Sequence, residues 1–260
     1  MEKLVEKNWD YSKNAEFYRY RPNYSERAIE MLMAYVQTPS ASGSRKDFSV
    51  VDVGAGTGNL TILLLKAGLQ KVTAVEPNDA MRKIGEEVTK GTSVQWVRAT
   101  ATETTLAHTS DWVTFGSSFN VIDREKALLE THRLLRPGGF FSCLWNHRNL
   151  LCPIQKQAEA IVESFVPSYS RGVRREDQRP FLEEHATGFK DICYLEVDFD
   201  VERTIEDYLL AWKSVKNRFW DLETPEGASL FAKITDKIRQ ELPRTFSVRY
   251  TTRAWTMQKQ

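Results

Sequence analysis

Cysteine is scarce in this chain. Three thiols among 260 residues, Cys143, Cys152 and Cys193, stand too far apart for a zinc pattern and are too few for a disulfide framework. Cys143 lies inside an apolar run and reads as a small core residue. Net charge is scarce too. Thirty-six basic side chains against 35 acidic ones leave a formal charge of +1. That removes the strongly basic field that grips nucleic acid, though not a local patch. No apolar run is long enough to span a bilayer, and Met1-Glu2-Lys3-Leu4-Val5-Glu6-Lys7 holds no apolar signal region. The expectation is a soluble, cytoplasmic protein. Internal repeats are absent, and the short polar stretch 37–47 is the one linker-like tract. The length suits a single α/β domain with an inserted cap.

What is present is organised around Val50-Val51-Asp52-Val53-Gly54-Ala55-Gly56-Thr57-Gly58-Asn59-Leu60. An apolar β-branched run passes into a glycine turn and then into a helical pattern, so the stretch reads strand, tight turn, helix. Ligands of open α/β sheets bind at such carboxyl ends. Glycine is needed there because a Cβ would block close approach of the backbone to a cofactor. A dinucleotide fold calls for G-x-G-x-x-G. Here Asn59 occupies the place of the last glycine, which counts against a nicotinamide-dependent oxidoreductase. A second strand, 72–75, ends in Glu76, an acid placed about twenty residues after the turn to accept hydrogen bonds from ribose hydroxyls.

Further strands are expected at 94–98, 111–115, 140–145, 192–199 and 246–257, with helices at 80–89, 125–135, 154–165, 205–215 and 230–242. Asn78 or Asp79 serves as N-cap for the first of these helices, and Thr204 for the one at 205. Leu135-Arg136-Pro137-Gly138-Gly139 reads as a helix stop and tight turn.

Asp52-x-Gly54-x-Gly56-x-Gly58 resembles motif I of the class I S-adenosylmethionine-dependent methyltransferases. The run Asn8-x-Asp10-Tyr11-Ser12-x-Asn14-Ala15-x-x-Tyr18-x-x-x-Arg21-Pro22-x-Tyr24 resembles the N-terminal segment of their small-molecule members of the trans-aconitate and UbiE-like kind. Val75-Glu76-Pro77-Asn78-x-x-Met81 and Leu-Arg-Pro-Gly-Gly before the fifth strand are similar landmarks. The resemblance implies a Rossmann-like α/β fold: seven strands, mostly parallel with the last antiparallel, helices on both faces and a helical cap insertion. It implies a segment 1–36 closing over the cofactor, a cofactor-binding core 48–149, a cap 150–190 over the acceptor, and 191–260 completing the same sheet.

S-adenosylmethionine is the implied cofactor. Asp52, Gly54, Ala55, Gly56, Thr57 and Gly58 would approach its methionine and ribose, and Glu76 the ribose. Met81 would pack on the adenine, Ala101 and Thr102 would serve its amino group, and Pro77 and Asn78 are further cofactor-binding positions. Ser117 would lie near the methyl group, and Arg21 would pair with the methionine carboxylate. Ala99-Thr100-Ala101-Thr102-Glu103 departs from the family's version in which an Asp bonds the adenine amino group, leaving the Ala101 backbone and the Thr102 hydroxyl for the adenine. For the acceptor the expected residues are Tyr11, Tyr18, Asn120, Arg148, Arg174, Tyr208 and Trp212. His147 is either the general base or a polar loop histidine. The run Arg171 to Arg179 is either an anion site or a solvated, self-paired face. The aromatic N-terminal segment is either a lid or a helix packed on the core.

The Asn/Asp-Pro-Pro-aromatic element that holds a flipped base is absent after the fourth strand, where Ser118-Phe119-Asn120-Val121-Ile122 stands instead. The expectation is methyl transfer to a small-molecule acceptor, an anionic one among the candidates, without nucleic acid, membrane or metal. The alternatives are a cofactor-binding regulator or scaffold without transferase activity and, behind it, a protein or RNA methyltransferase.

Overall fold

In the computed structural model, residues 12–37, 47–107, 109–169, 176–215 and 219–260 are described. Seven strands form one sheet in the order β3-β2-β1-β4-β5-β7-β6. They are β1 (Ser49–Val53), β2 (Lys71–Val75), β3 (Gln95–Val97), β4 (Ser110–Gly116), β5 (Leu135–Arg148), β6 (Phe189–Thr204) and β7 (Thr245–Lys259). Strands β1 to β5 pair in parallel, and β7 runs antiparallel between β5 and β6. The expected architecture and the reversed last strand are both present.

The inner strands are apolar on both faces because both are covered. On one face Val51, Val53, Val113, Phe115, Phe141 and Cys143 pack with α4 (Arg124–Leu134) and with Leu182 of α6 (Arg179–His185). On the other, Val50, Val72, Trp112 and Leu144 pack with α1 (Glu26–Val36) and α2 (Asn59–Lys66). Cys143 is thus a core residue, its thiol pushed up by burial. A third core joins α5 (Pro153–Phe165), α7 (Ile205–Lys213) and α8 (Pro225–Glu241) over the projecting ends of β6 and β7.

That third core corrects the expected cap. Residues 150–190 do not act together: α5 joins α7 and α8 in one helical layer, while α6 lies in the core with α4. The layer is assembled from 153–165 and 205–241, so it includes chain that had been assigned to the sheet. Helix α8 also starts earlier than its apolar periodicity suggests. Thr224 caps it by accepting a hydrogen bond from Gly227 N at 3.1 Å. Gly227 sits there because a Cβ would lie 2.0 Å from the Asp221 carbonyl oxygen. The turn expected at Arg136–Gly139 is a bulge within β5, between the pairs Ser110–Leu135 and Trp112–Phe140. The N-terminal segment is a 3-10 helix, η1 (Ser12–Tyr20), and it contacts both α3 (Asp79–Val88) and α7. Most of the linker, 38–46, lies outside the described residues.

Candidate functional site

The carboxyl ends of β1, β2, β3 and β4 meet at the glycine turn. Gly54, Gly56 and Gly58 have φ of +67°, +59° and +85°, the left-handed region that side chains disfavour. At Gly54 space is also decisive, since a Cβ would lie 2.5 Å from Ser118 Cβ. Ser118 in turn donates from Oγ to the Val53 carbonyl at 2.7 Å. The Gly54 and Ala55 amides donate to the Val75 carbonyl at 2.8 and 3.0 Å, tying the turn to β2. Gly58 then caps α2, and Thr57 beside it is buried.

Two carboxylates flank this turn. Asp52 is fully buried beneath it, with Oδ2 accepting from Thr61 Oγ1 at 2.7 Å and Oδ1 from Thr114 Oγ1 at 3.2 Å. Burial pushes its carboxyl up to about 6, against the effect of the two hydroxyls. Asp52 therefore props the turn from below rather than facing a ligand. Glu76 is also held up by burial, opposed by backbone hydrogen bonds. Its Oε2 accepts from Gly56 N and its Oε1 from Asn78 N, both at 2.9 Å. A carboxylate has about four lone-pair sites, so each oxygen keeps capacity for one more donor, such as a ribose hydroxyl.

Asn78 caps α3, accepting from Met81 N at 3.0 Å. Met81 is buried against the turn: a Cβ on Gly56 would lie 3.2 Å from its Cε. Pro77 is exposed at the same edge. Ala101 is nearly buried after β3, and the Thr102 hydroxyl sits 3.3 Å from that of Thr100.

The far side of the site is closed by a short strap, residues 21–25, that sequence reasoning did not resolve. Asn146 donates from Nδ2 to the carbonyls of Pro22 and Asn23 at 3.2 and 2.9 Å. Thr252 Oγ1 donates to Asn146 Oδ1 at 2.6 Å and accepts from Ser25 N at 2.9 Å. The Tyr24 hydroxyl lies 2.8 Å from Ser117 Oγ. Burial pushes the Tyr24 phenol well up, so it is protonated at neutral pH. Ser117 itself has φ +59°, a strained position for a side chain and one that clusters at functional sites. A Cβ at the preceding Gly116 would lie 3.0 Å from the Tyr24 hydroxyl. The one sequence signal for Tyr24 was its place after Arg21-Pro22.

Several expected site residues lie elsewhere. Arg21 donates from Nε to Ser214 Oγ at 2.8 Å and covers the Tyr18 ring at 4.2 Å. Its guanidinium fastens the strap to the helical layer, instead of standing ready for a carboxylate at the glycine turn. Arg148 is no open anion site either. It pairs with Glu159 at 2.7 Å, donates to the Tyr169 hydroxyl at 2.9 Å and stacks on Trp212 at 4.7 Å. Tyr208 donates to Gln155 at 2.8 Å and is buried. Tyr208 and Trp212 are core of the helical layer, not pocket walls, because their helix turns its aromatic face onto α5 and α8.

His147 and Arg148 are neighbours on a regularly paired strand and so face opposite ways. His147 shares its face with Trp145, whose indole donates to Asn120 Oδ1 at 3.0 Å. The strap and Asn146 occupy the other face. The expected acceptor residues thus separate into two groups, Asn120 with His147 and Arg148 with Tyr208 and Trp212. Tyr11 and Arg174 lie outside the described residues. From the arginine run, Arg179 pairs with Glu183 on α6, and Asp177 accepts from the Trp255 indole at 2.9 Å.

The profile of the methyltransferase domain family matches residues 51–143, which hold this turn, Glu76 and the β4 terminus. That match, 93 of 260 residues, marks the stretch as similar to a methyltransferase domain. Among the chain's relatives, the demethylmenaquinone methyltransferase of Staphylococcus aureus is 37% identical over 129 residues, 48% of this chain and 53% of that protein. The ubiquinone/menaquinone biosynthesis C-methyltransferase UbiE of Klebsiella pneumoniae is 31% identical over 156 residues, 56% of this chain and 62% of its own. The chain thus spans about half to three-fifths of the lengths of these relatives.

Solved structures show the same fold. One from Anaeromyxobacter dehalogenans aligns with TM-score 0.60 at 18% identity, over 92% of this chain and 97% of that one. The phosphoethanolamine N-methyltransferase 2 of Haemonchus contortus, solved with S-adenosylhomocysteine, aligns with TM-score 0.52 at 17% identity, over 97% of this chain and 58% of that one. S-adenosylhomocysteine, held by that structure, is the demethylated form of S-adenosylmethionine. The residues present fit it: three positions without a Cβ, and a buried carboxylate that retains acceptor capacity at the expected distance along the chain.

Proposed function

We propose that this chain transfers a methyl group from S-adenosylmethionine to a small-molecule acceptor. The observation that carries the reading is Glu76, bonded through both oxygens to backbone amides at the glycine turn while each oxygen retains a place for a hydroxyl donor. The cofactor supplies a methyl group already activated on a sulfonium, so the protein's task is chiefly alignment. Effective-molarity gains of roughly 7–11 kcal/mol are attainable from positioning alone. Gly54 to Gly58 admit the cofactor backbone-close, Glu76 fixes its ribose, and the strap excludes water above Ser117. Tyr24, protonated and held by Ser117, offers a neutral hydroxyl where the acceptor approaches.

The relatives named for quinone precursors support a small-molecule acceptor, and so does the absence of a flipped-base element after β4. Among the described residues no histidine shares the strap's side of β5, so the reading assigns no base there. His147→Ala is expected to keep turnover within about tenfold, with an unchanged pH profile. Loss of the acidic limb of that profile would instead make His147 the base.

The test is calorimetric titration with S-adenosylmethionine, S-adenosylhomocysteine and NAD, followed by labelled donor on fractionated metabolite extracts. Micromolar binding of the two sulfur compounds, none of NAD, and label transfer to a small molecule are the expected results. Binding without transfer to any fraction would favour a regulatory or scaffold protein, and absent binding would remove the proposal.

A further inference from the structure

A groove of about 410 Å³ opens beside the strap, between it and β6. Its volume falls within the range of small-molecule sites. Strap-side walls include Arg19, Arg21 and Tyr24, and the β6 side presents Phe199, Val201 and Arg203. The three β6 residues alternate along one strand and so share a face. The acids interleaved with them point the other way, where Asp200 pairs with Arg249 at 2.9 Å and Asp198 accepts from Thr251 at 2.6 Å. The strand therefore segregates its chemistry, acidic outward and apolar plus cationic toward the groove.

The three guanidiniums differ from most of their kind in this molecule. Arg82, Arg133, Arg136, Arg148, Arg239, Arg249 and Arg253 each hold a carboxylate. Among the described residues, no carboxylate pairs with Arg19, Arg21 or Arg203. Arg19 meets the Tyr20 hydroxyl and Arg21 meets Ser214. Glu26, the one acid lining the groove among the described residues, is paired with Lys66 at 3.0 Å. Guanidinium forks match carboxylate and phosphate geometry, and Phe199 and Val201 supply an apolar floor.

We infer that this groove is a binding site for a small organic anion, a carboxylate or phosphate ester with an apolar or aromatic body, separate from the cofactor site. Its occupant would join η1 and the strap, through Arg19 and Arg21, to β6, through Arg203. The Tyr24 ring is shared with the strap's contact to Ser117, so the ligand adjoins the covered end of the site.

The test uses the full chain and phenyl phosphate, with inorganic phosphate as the probe lacking an apolar body. Saturable binding of phenyl phosphate is expected, at least fivefold tighter than inorganic phosphate and weakening as salt rises. Arg203→Ala should weaken it tenfold or more, Arg203→Lys less. Arg27→Ala, an exposed change on α1 outside the groove, should leave it unaltered. Equal binding by the wild type and Arg203→Ala, no saturable binding, or displacement by S-adenosylhomocysteine would overturn the inference. Titrating S-adenosylhomocysteine into each variant keeps the two claims apart. Retained affinity in Arg203→Ala shows an intact fold. Absent affinity in the wild type removes the methyltransferase reading and leaves the groove to be decided by the phenyl phosphate result.

Discussion

Asp52 and Glu76 stand at the ends of adjacent strands, and their surroundings give them different work. Glu76 holds two backbone amides and keeps places for two more donors, so its loss should act on the cofactor first. Hydrogen bonds to charged groups contribute about 1.5–3 kcal/mol each. Glu76→Ala is therefore expected to weaken S-adenosylhomocysteine binding by at least tenfold in calorimetry. Asp52 acts on stability. Its carboxyl is raised to about 6 by burial, above the value near 3.9 of an unfolded chain. Between those values the folded state holds a proton that the unfolded state has released, so stability falls as pH rises from about 4 to about 6, then levels off. The cost at neutral pH is on the order of 3 kcal/mol. Urea midpoints over pH 4 to 7 should fall more steeply in the wild type than in Asp52→Asn, where the raised Glu76 carboxyl still contributes. A parallel pH dependence in both would contradict it.

The strap is an element with almost no regular structure, held by hydrogen bonds to β4, β5, β7 and the end of α7. Asn146→Ala removes both bonds to the Pro22 and Asn23 carbonyls, at about 1 kcal/mol each. Faster amide exchange over η1 and a several-fold weaker affinity for S-adenosylhomocysteine are expected, with little change in the melting of the sheet. Unchanged exchange would mean that Tyr24 and Arg21 hold the strap without it. In the sequence, the strap was visible only as a pattern of aromatics before Arg21-Pro22. The glycine turn, Glu76 and Asn78 were legible because each sits within a few residues of a strand end, and local spacing fixes them. The strap's partners were not, because Tyr24 reaches 93 residues ahead to Ser117 and Ser25 reaches 227 to Thr252. The Arg21 contact was hidden for the same reason: a guanidinium has many possible partners, and only tertiary structure brings Ser214 to it.

At the scale of the molecule, the positions of the strands along the chain followed from apolar runs separated by helical patterns, and the reversed last strand from the family resemblance. The grouping of the helices did not, because amphipathic faces reveal burial but not the neighbour. The helical layer carries the ion pair of Arg148 with Glu159, whose carboxylate is nearly buried. Breaking such a pair from one side leaves a charge without its partner and costs about 3–5 kcal/mol, while replacing both sides with apolar groups is often neutral. Glu159→Gln should thus lower the urea midpoint strongly, and the double change Arg148→Met with Glu159→Leu should restore most of it. A double variant as unstable as the single one would show that the pair holds the layer to the sheet by its charge.

The position of β7 has a consequence for how the protein is made. β7 begins at Thr245 and enters between β5, which ends at Arg148, and β6. During translation β5 therefore emerges with one edge open, and it waits for a partner still unsynthesised. At ribosomal rates that interval is roughly 5–20 s. Throughout it an apolar strand edge of β5 stays open, the kind of edge that pairs with other chains until β7 covers it.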